Sequence, residues 1–346
     1  MIFSSLISSH RSPVTKVGLF DPGIENNIGT PSANLGDLII QEAVEREINQ
    51  IFPDIPPIKH ISTHTFPRSE HIDAVGECSL FFVGGTNLLS SKMNLYRHWK
   101  FSLSQQMKLS KSVLLGVGWA QYEEKPNFQT SLILKCILSN KIIHSVRDSY
   151  TQMQLNSAGI KNVLNTGCPT MWPLAHLKAD RIPTQKADNA LVMFTDYSKQ
   201  PELDRKLLEI VGSKYDKVFV WPQGRGDQEY VSNLSAEIGH PITMLKHSFD
   251  AFKEFLDSGI TFDYIGTRLH GGVKCLLNGR RALVIEIDNR AKEIAKDTNL
   301  PTAERGDFHK IHQWIDNPSV TRIQLSSDAI DKWRGQFKNM TLKSQT

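Results

Sequence analysis

A chain of 346 residues exceeds one ordinary hydrophobic core and points to about two domains. With 40% hydrophobic and 22% charged residues, its make-up is that of a soluble globular protein. Forty basic against 36 acidic side chains leave a net +4 without a basic run or a clustered aromatic and basic motif. This excludes a charge-based case for nucleic acid and leaves a mild attraction to anionic substrates or a membrane surface.

Cys78, Cys136, Cys168 and Cys275 are far apart and form no CxxC pair, so neither a zinc knuckle nor a dense disulfide framework is indicated. The start, MIFSSLISSHRSP, has no charged region ahead of its short apolar stretch. No later run approaches the roughly 18 apolar residues of a membrane span. The expectation is a cytoplasmic protein without a transmembrane segment.

Short apolar runs ending in glycine or polar turns follow one another from the start. They are KVGLF (16–20), SLFFVGG (79–85), VLLGVG (113–118), IIHSVRD (142–148) and NVLNTG (162–167). The pattern resumes with ALVMFTD (190–196), KVFVWPQG (217–224), FDYIGT (262–267) and ALVIEID (282–288). Continuous apolar strands separated by helix-length segments predict buried parallel sheets of the α/β class. Helices are predicted at 38–48, 149–158 and 250–256. The polar, proline-containing interval 173–189 reads as the linker. The expected layout is two Rossmann-like domains facing a central cleft, at 14–175 and 188–310, with a tail at 311–346. A tail helix at 328–337 is predicted, in a segment that crosses back to the first domain.

Candidate site residues lie where these strands end. Asn34, Gly36 and Asp37 precede a helix in which Ile40, Val44 and Ile48 repeat every four residues. Asp37 can cap that helix, and its exposed amides suit a ligand equally. Gly84 and Gly85 permit close approach of a ligand or of another loop. Trp119 could line a sugar pocket or belong to the core. Arg147 sits at a strand end, reaching into the cleft or into an ion pair, while Asp148 reads as a helix cap. Arg225, after a later strand, is a further candidate cationic anchor.

The segment YIGTRLHGGVKCLLNG, 264–279, reads as strand, glycine turn and helix. Leu269, Val273, Leu276 and Leu277 have the spacing of one buried helix face. Residues two apart share a side of an extended chain but lie about 200° apart around a helix, so Arg268 and His270 converge only if the chain there is extended. Arginine supplies a planar fork for carboxylate or phosphate, and histidine exchanges protons near neutral pH. His60, His64 and His71 lack the spacing of a helical zinc site, and no metal is assigned. Neither a GxSxG elbow nor a GxxxxGK[ST] loop is present.

The ordered set NLGD (34–37), VGGTNLL (83–89), SVRDSYTQMQLNSAGI (145–160) and GTRLHGGVKCLLNGRRALVIEIDNRAKEI (266–294) resembles the polysaccharide pyruvyl transferase family, over roughly residues 16–300. The resemblance implies a fold like that of the GT-B glycosyltransferases. It also implies transfer of pyruvate from phosphoenolpyruvate (PEP), a co-substrate with no other cofactor, to two hydroxyls of a sugar, giving a cyclic ketal and phosphate. In that reading Arg268 binds the donor and His270 is the acid or base. Leu269, Gly271, Arg225 and Lys274 complete the donor side. Asn34, Gly36, Asp37, Gly84, Gly85, Trp119 and Arg147 form the acceptor side. The partners implied are PEP and a sugar or glycan precursor, with peripheral membrane contact through a lipid-linked acceptor. A glycosyltransferase using a nucleotide sugar and a non-catalytic anion- or sugar-binding member are the alternative readings, because fold alone does not separate them.

Overall fold

The structure is a computed structural model that describes residues 14–177 and 181–340. The apolar start of the chain, positions 178–180 of the expected linker and positions 341–346 of the tail lie outside the described residues.

The first half runs β1 (Val17–Asp21), α1 (Leu35–Ile51), β2 (Lys59–Ser62), α2 (Ser69–Gly76), β3 (Leu80–Gly84), β4 (Asn87–Leu89), β5 (Ser112–Leu115) and β6 (Gly118–Trp119). It continues with α3 (Phe128–Ile137), β7 (His144–Val146), α4 (Ser149–Ser157) and β8 (Val163–Asn165). The second half runs β9 (Asn189–Met193), α5 (Pro201–Lys214), β10 (Lys217–Val220), α6 (Asp227–Ala236), β11 (Ile242–Met244), α7 (Phe249–Asp257) and β12 (Phe262–Gly266). Then come α8 (Leu269–Leu277), β13 (Ala282–Glu286), α9 (Asn289–Thr298), β14 (Thr302–Glu304), α10 (Phe308–Asp316) and α11 (Ser327–Gly335).

The strands form two main parallel sheets, ordered β2-β1-β3-β5 and β11-β10-β9-β12-β13-β14. Two smaller parallel pairs, β4–β6 and β7–β8, accompany the first sheet. The fold class is the α/β class with parallel sheets that the continuous apolar runs predict.

Those runs are continuous because each main sheet is covered on both faces. In β1, Val17 and Leu19 pack with Ile40, Val44 and Ile48 of α1. Phe20 points the other way, into a cluster with Ile72 and Val75 of α2 and Trp99. In β9, Leu191 and Met193 pack with Val273 and Leu276 of α8, whereas Ala190 and Val192 meet Leu207 and Val211 of α5. An alternating strand would leave one of these faces polar.

Helix α11 belongs spatially to the first sheet. Trp333 and Phe337 pack with Phe52 and Phe82, with the Phe82 and Phe337 rings 5.7 Å apart. Glu47, buried on α1, takes Arg334 Nη2 at 2.6 Å, and Val14 N donates to Met340 O at 2.7 Å.

The two halves meet through several polar contacts. Leu35 N donates to Gln223 O at 2.9 Å, Tyr122 OH donates to Glu293 at 2.7 Å, and Ser149 Oγ donates to Asp297 at 2.7 Å. The chain segments that follow β7, β10, β12 and β13 lie at this junction, which is the ligand crevice of open α/β sheets.

Candidate functional site

Helix α8 begins at Leu269, with Arg268 as its extended N-cap residue at φ −92° and ψ 92°. His270 is therefore already helical, and the two polar side chains part instead of converging. Arg268 Nε donates to Asp227 Oδ2 at 2.9 Å while Nη2 meets Asp227 Oδ1. The same Nη2 lies 3.3 Å from Asp196 Oδ1, and Nε also reaches Phe194 O at 3.3 Å. Gly224 makes room for this fork, since a Cβ there would lie 2.3 Å from Arg268 Nη2. Arg268, expected on the donor side, sets its charge against the buried Asp227 and the half-buried Asp196.

His270 looks toward the first half. Its Nε2 lies 3.9 Å from Cys168 Sγ, which accepts from Thr170 Oγ1 at 3.0 Å. Burial pushes the imidazole pKa down to about 3, and the nearby Arg290 and Arg147 disfavour protonation further. Burial also raises the Cys168 thiol, so the pair is neutral imidazole against neutral thiol and not an activated nucleophile.

The two arginines are held by their own helix starts. Arg147 Nε donates to Asp148 Oδ2 at 2.9 Å, and its Nη2 reaches Trp119 O at 3.3 Å. The guanidinium lies over Gly118, where a Cβ would stand 2.1 Å from Cζ. Arg290 Nε donates to Asp288 Oδ2 at 2.9 Å, and its Nη2 donates to Tyr197 OH at 2.5 Å. Asp148 and Asp288 also cap α4 and α9 by accepting from Thr151 N and Arg290 N. Burial would raise the Asp288 carboxyl, but Arg290 beside it holds it below its ordinary value.

From the first half, α1 presents its N-terminus. The cap is Asn34, whose Oδ1 accepts from Gly36 N at 3.3 Å and from Gln223 Nε2 at 3.1 Å. Asp37, expected as a possible cap, is the third residue of the helix, in its first turn, and accepts from Ser32 Oγ at 3.0 Å, with His64 Nε2 at 3.7 Å. Burial pushes its carboxyl up to about 6, against the pull of His64, Ser32 and Arg290. Arg290 thus acts electrostatically on both Asp37 and His270. Gln223 Oε1 and Asn289 Oδ1 are buried at the junction and make no protein hydrogen bond. Such atoms cost about 1 to 3 kcal/mol each when left unpaired.

Other expected site residues serve packing. Lys274 Nζ is tied to Glu42 Oε2 of α1 at 2.6 Å, so it links the halves. Trp119 is fully buried with its Nε1 on Glu123 at 2.9 Å, the core position of the two that its sequence context offered. Gly85 has the close approach that its residue type suggested, but to another loop: a Cβ would stand 2.6 Å from Gly116 O. At Gly84 a Cβ would meet Leu19, Phe20 O and Pro22 at 3.3 Å, which is again packing. Gly36 lies against Gln223, and a Cβ at Gly271 would stand 2.4 Å from Met193 Sδ. Leu269 is core, and Arg225 is exposed.

Asp21, Glu45 and His60 bring possible metal-ligand atoms within 4.8 Å of one another. The Asp21 carboxylate already accepts from Gly23 N at 2.7 Å, is bonded to Gln41 and meets His60 Nδ1 at 2.7 Å. A satisfied His–Asp pair accounts for that group.

Residues 34–289 of the 346 match the family model for polysaccharide pyruvyl transferase. The chain belongs to that family. No curated protein matches it in sequence. Among solved structures it is similar to a co-structure of S. aureus MnaA with UDP, at 8% identity and a TM-score of 0.47, covering 95% of this chain and 91% of the other. It is also similar to E. coli heptosyltransferase WaaC with ADP-2-deoxy-2-fluoro heptose, at 10% identity and a TM-score of 0.35, covering 87% and 99%.

Within this pyruvyl transferase family member, Arg290, Asp288, Asp227 and Cys168 are residues of the candidate site that the motif reading passed over. The strand-end logic that singles out Arg147 in VRD applies equally to IDNR after β13, and would have found Asp288 and Arg290. Nothing local marks Asp227 or Cys168, because their partners are 41 and 102 residues away in sequence.

Proposed function

We propose that the protein transfers the pyruvyl group of PEP to two hydroxyls of a sugar in a polysaccharide or its precursor, forming a cyclic ketal and releasing phosphate. The observation that carries this reading is that two arginines, the buried Arg147 and the half-buried Arg290, both act electrostatically on the uncharged imidazole of His270. PEP joins a carboxylate and a phosphate on a three-carbon skeleton, so two guanidinium groups match its two anions. Arg147 and Arg290 each face one helix-capping carboxylate, whereas Arg268 faces two and is the poorest of the three for an anion.

In this mechanism the first sugar hydroxyl adds to C2 of PEP, losing its proton to His270, while C3 gains a proton from Asp37. His270 is neutral and has a ring nitrogen to accept the proton, and PEP anions set against Arg290 and Arg147 offset part of what lowers its basicity, while a carboxyl with a pKa near 6 holds a proton in part of the population near neutrality. Phosphate then leaves with the C2–O electron pair, and the second hydroxyl closes the ketal and releases its proton. Gln223 Oε1 and Asn289 Oδ1 offer acceptors for sugar hydroxyls.

Calorimetric titration of PEP, with UDP-glucose in parallel, tests the reading. PEP binds the wild type, and Arg290→Ala weakens it on the order of tenfold to a hundredfold, the size of one charge-assisted pair. Turnover is read as phosphate release across an acceptor screen. Binding of the nucleotide sugar with none of PEP would overturn the proposal.

A further inference from the structure

We infer that one face of the first half is a docking surface for an anionic phospholipid bilayer. Five large apolar side chains project there: Leu95 is 76% exposed, Tyr96 59%, Met107 70%, Phe66 53% and Phe128 76%. They come from separate segments that the fold ties together. Lys100 Nζ lies 4.2 Å from the Tyr96 ring centre and 5.8 Å from that of Phe66. Gln105 Nε2 donates to Pro67 O at 3.0 Å, joining the Met107 segment to the Phe66 loop. Asn94 Nδ2 donates to Gln129 Oε1 at 2.7 Å and Asn127 Nδ2 to Asn94 Oδ1 at 2.8 Å, joining Leu95 and Tyr96 to the start of α3.

The charge of this region is complementary to an anionic surface. Residues 79–141 hold eight Lys or Arg against two acidic residues, a net +6, whereas the whole chain carries +4. Of the two acids, Glu123 is turned toward Ser91 N and Trp119 Nε1. Lys92, Lys111 and Lys125 are exposed and form no ion pair among the described residues. Lysine is depleted at protein–protein interfaces, and Leu and Met offer little to a nucleic acid, while lysines around interfacial aromatic and aliphatic side chains suit a bilayer surface. No helix among the described residues is long and apolar enough to cross a membrane, so this contact is peripheral. Asn127, bonded to Asn94 of this face, follows in the chain soon after Tyr122, whose hydroxyl meets Glu293 at the junction of the halves.

Co-sedimentation of the purified full chain with vesicles tests this independently of any enzymatic reading. The protein sediments with phosphatidylglycerol-containing vesicles and not with phosphatidylcholine alone, and 0.5 M salt weakens the binding. Each of Lys92→Glu and Lys111→Glu lowers the partition coefficient roughly fivefold or more. Leu95→Glu with Met107→Glu abolishes binding, while Val320→Glu, at an exposed apolar position of the second half, leaves it unchanged. All of these positions are exposed, and thermal melts confirm that the variants fold. Absence of wild-type binding, equal binding to both lipids, or patch variants that bind like wild type would each overturn the inference.

Discussion

Arg268 and Asp227 hold each other in a two-pronged pair, Nε to Oδ2 at 2.9 Å and Nη2 to Oδ1, with both side chains enclosed. The pair anchors the N-cap residue of α8 to the first residue of α6. Arg268→Ala leaves Asp227 buried without its cation and costs about 3 to 5 kcal/mol in urea unfolding. Arg268→Lys keeps the charge but lacks the fork, and falls between. An alanine variant as stable as wild type would show that Arg268 is held for a ligand and not for the fold.

Asp37 titrates in the opposite sense to a salt-bridged aspartate. Its folded pKa of about 6 lies above the ordinary 3.8, so its contribution to stability is complete below about pH 4 and is lost as pH rises through 6. Asp37→Asn removes this burden and raises stability at pH 7.5 by about 2 to 3 kcal/mol, with no gain at pH 4. The same variant loses turnover if Asp37 supplies the proton. Denaturant midpoints at the two pH values, beside phosphate release, read both effects.

His270 has a folded pKa of about 3 against an ordinary 6.5, so its stabilising contribution is complete above pH 6.5 and is lost as pH falls toward 3. His270→Gln flattens the acid limb of the stability profile over that window. On the proposed mechanism it also lowers turnover about 10²- to 10⁴-fold while the protein stays folded. Full turnover in a folded Gln variant removes His270 from the chemistry.

At Gly118 a methyl group would stand 2.1 Å from Arg147 Cζ and displace a guanidinium that is itself enclosed. Gly118→Ala therefore destabilises by about 1 to 3 kcal/mol and weakens PEP binding at the same time. Gly335→Ala, where nothing lies within 4 Å, is the matched control and leaves both unchanged.

Much of the architecture is legible in the chain because a sheet covered on both faces writes itself as unbroken apolar runs. Segments such as 79–85, 190–196 and 262–267 overlap β3, β9 and β12 with ends displaced by a few residues. Within the two main sheets, the strands that escape notice, β2, β11 and β14, lie at edges, where one side has no neighbour and the sequence turns polar: KHIS, ITM and TAE. Helix α1 is predicted from 38 but starts at Leu35, because Asn34 caps it while also holding Gln223 from the other half.

By itself the sequence determined the α/β class, the strand-end positions of the polar residues and the ordered motifs of the family. It could not decide how those residues pair. Arg268 and His270 are separated by the single residue at which the backbone changes from extended to helical, and that change sends one to Asp227 and the other to Cys168. The apparent scatter of lysines and exposed apolar residues between 66 and 128 is likewise gathered into one face only by contacts such as Lys100 with Phe66 and Tyr96. Local periodicity records which side of an element is buried. Which buried charge meets which partner is settled by packing between distant segments, such as those of Glu47 and Arg334, 287 residues apart, and only the tertiary structure carries that information.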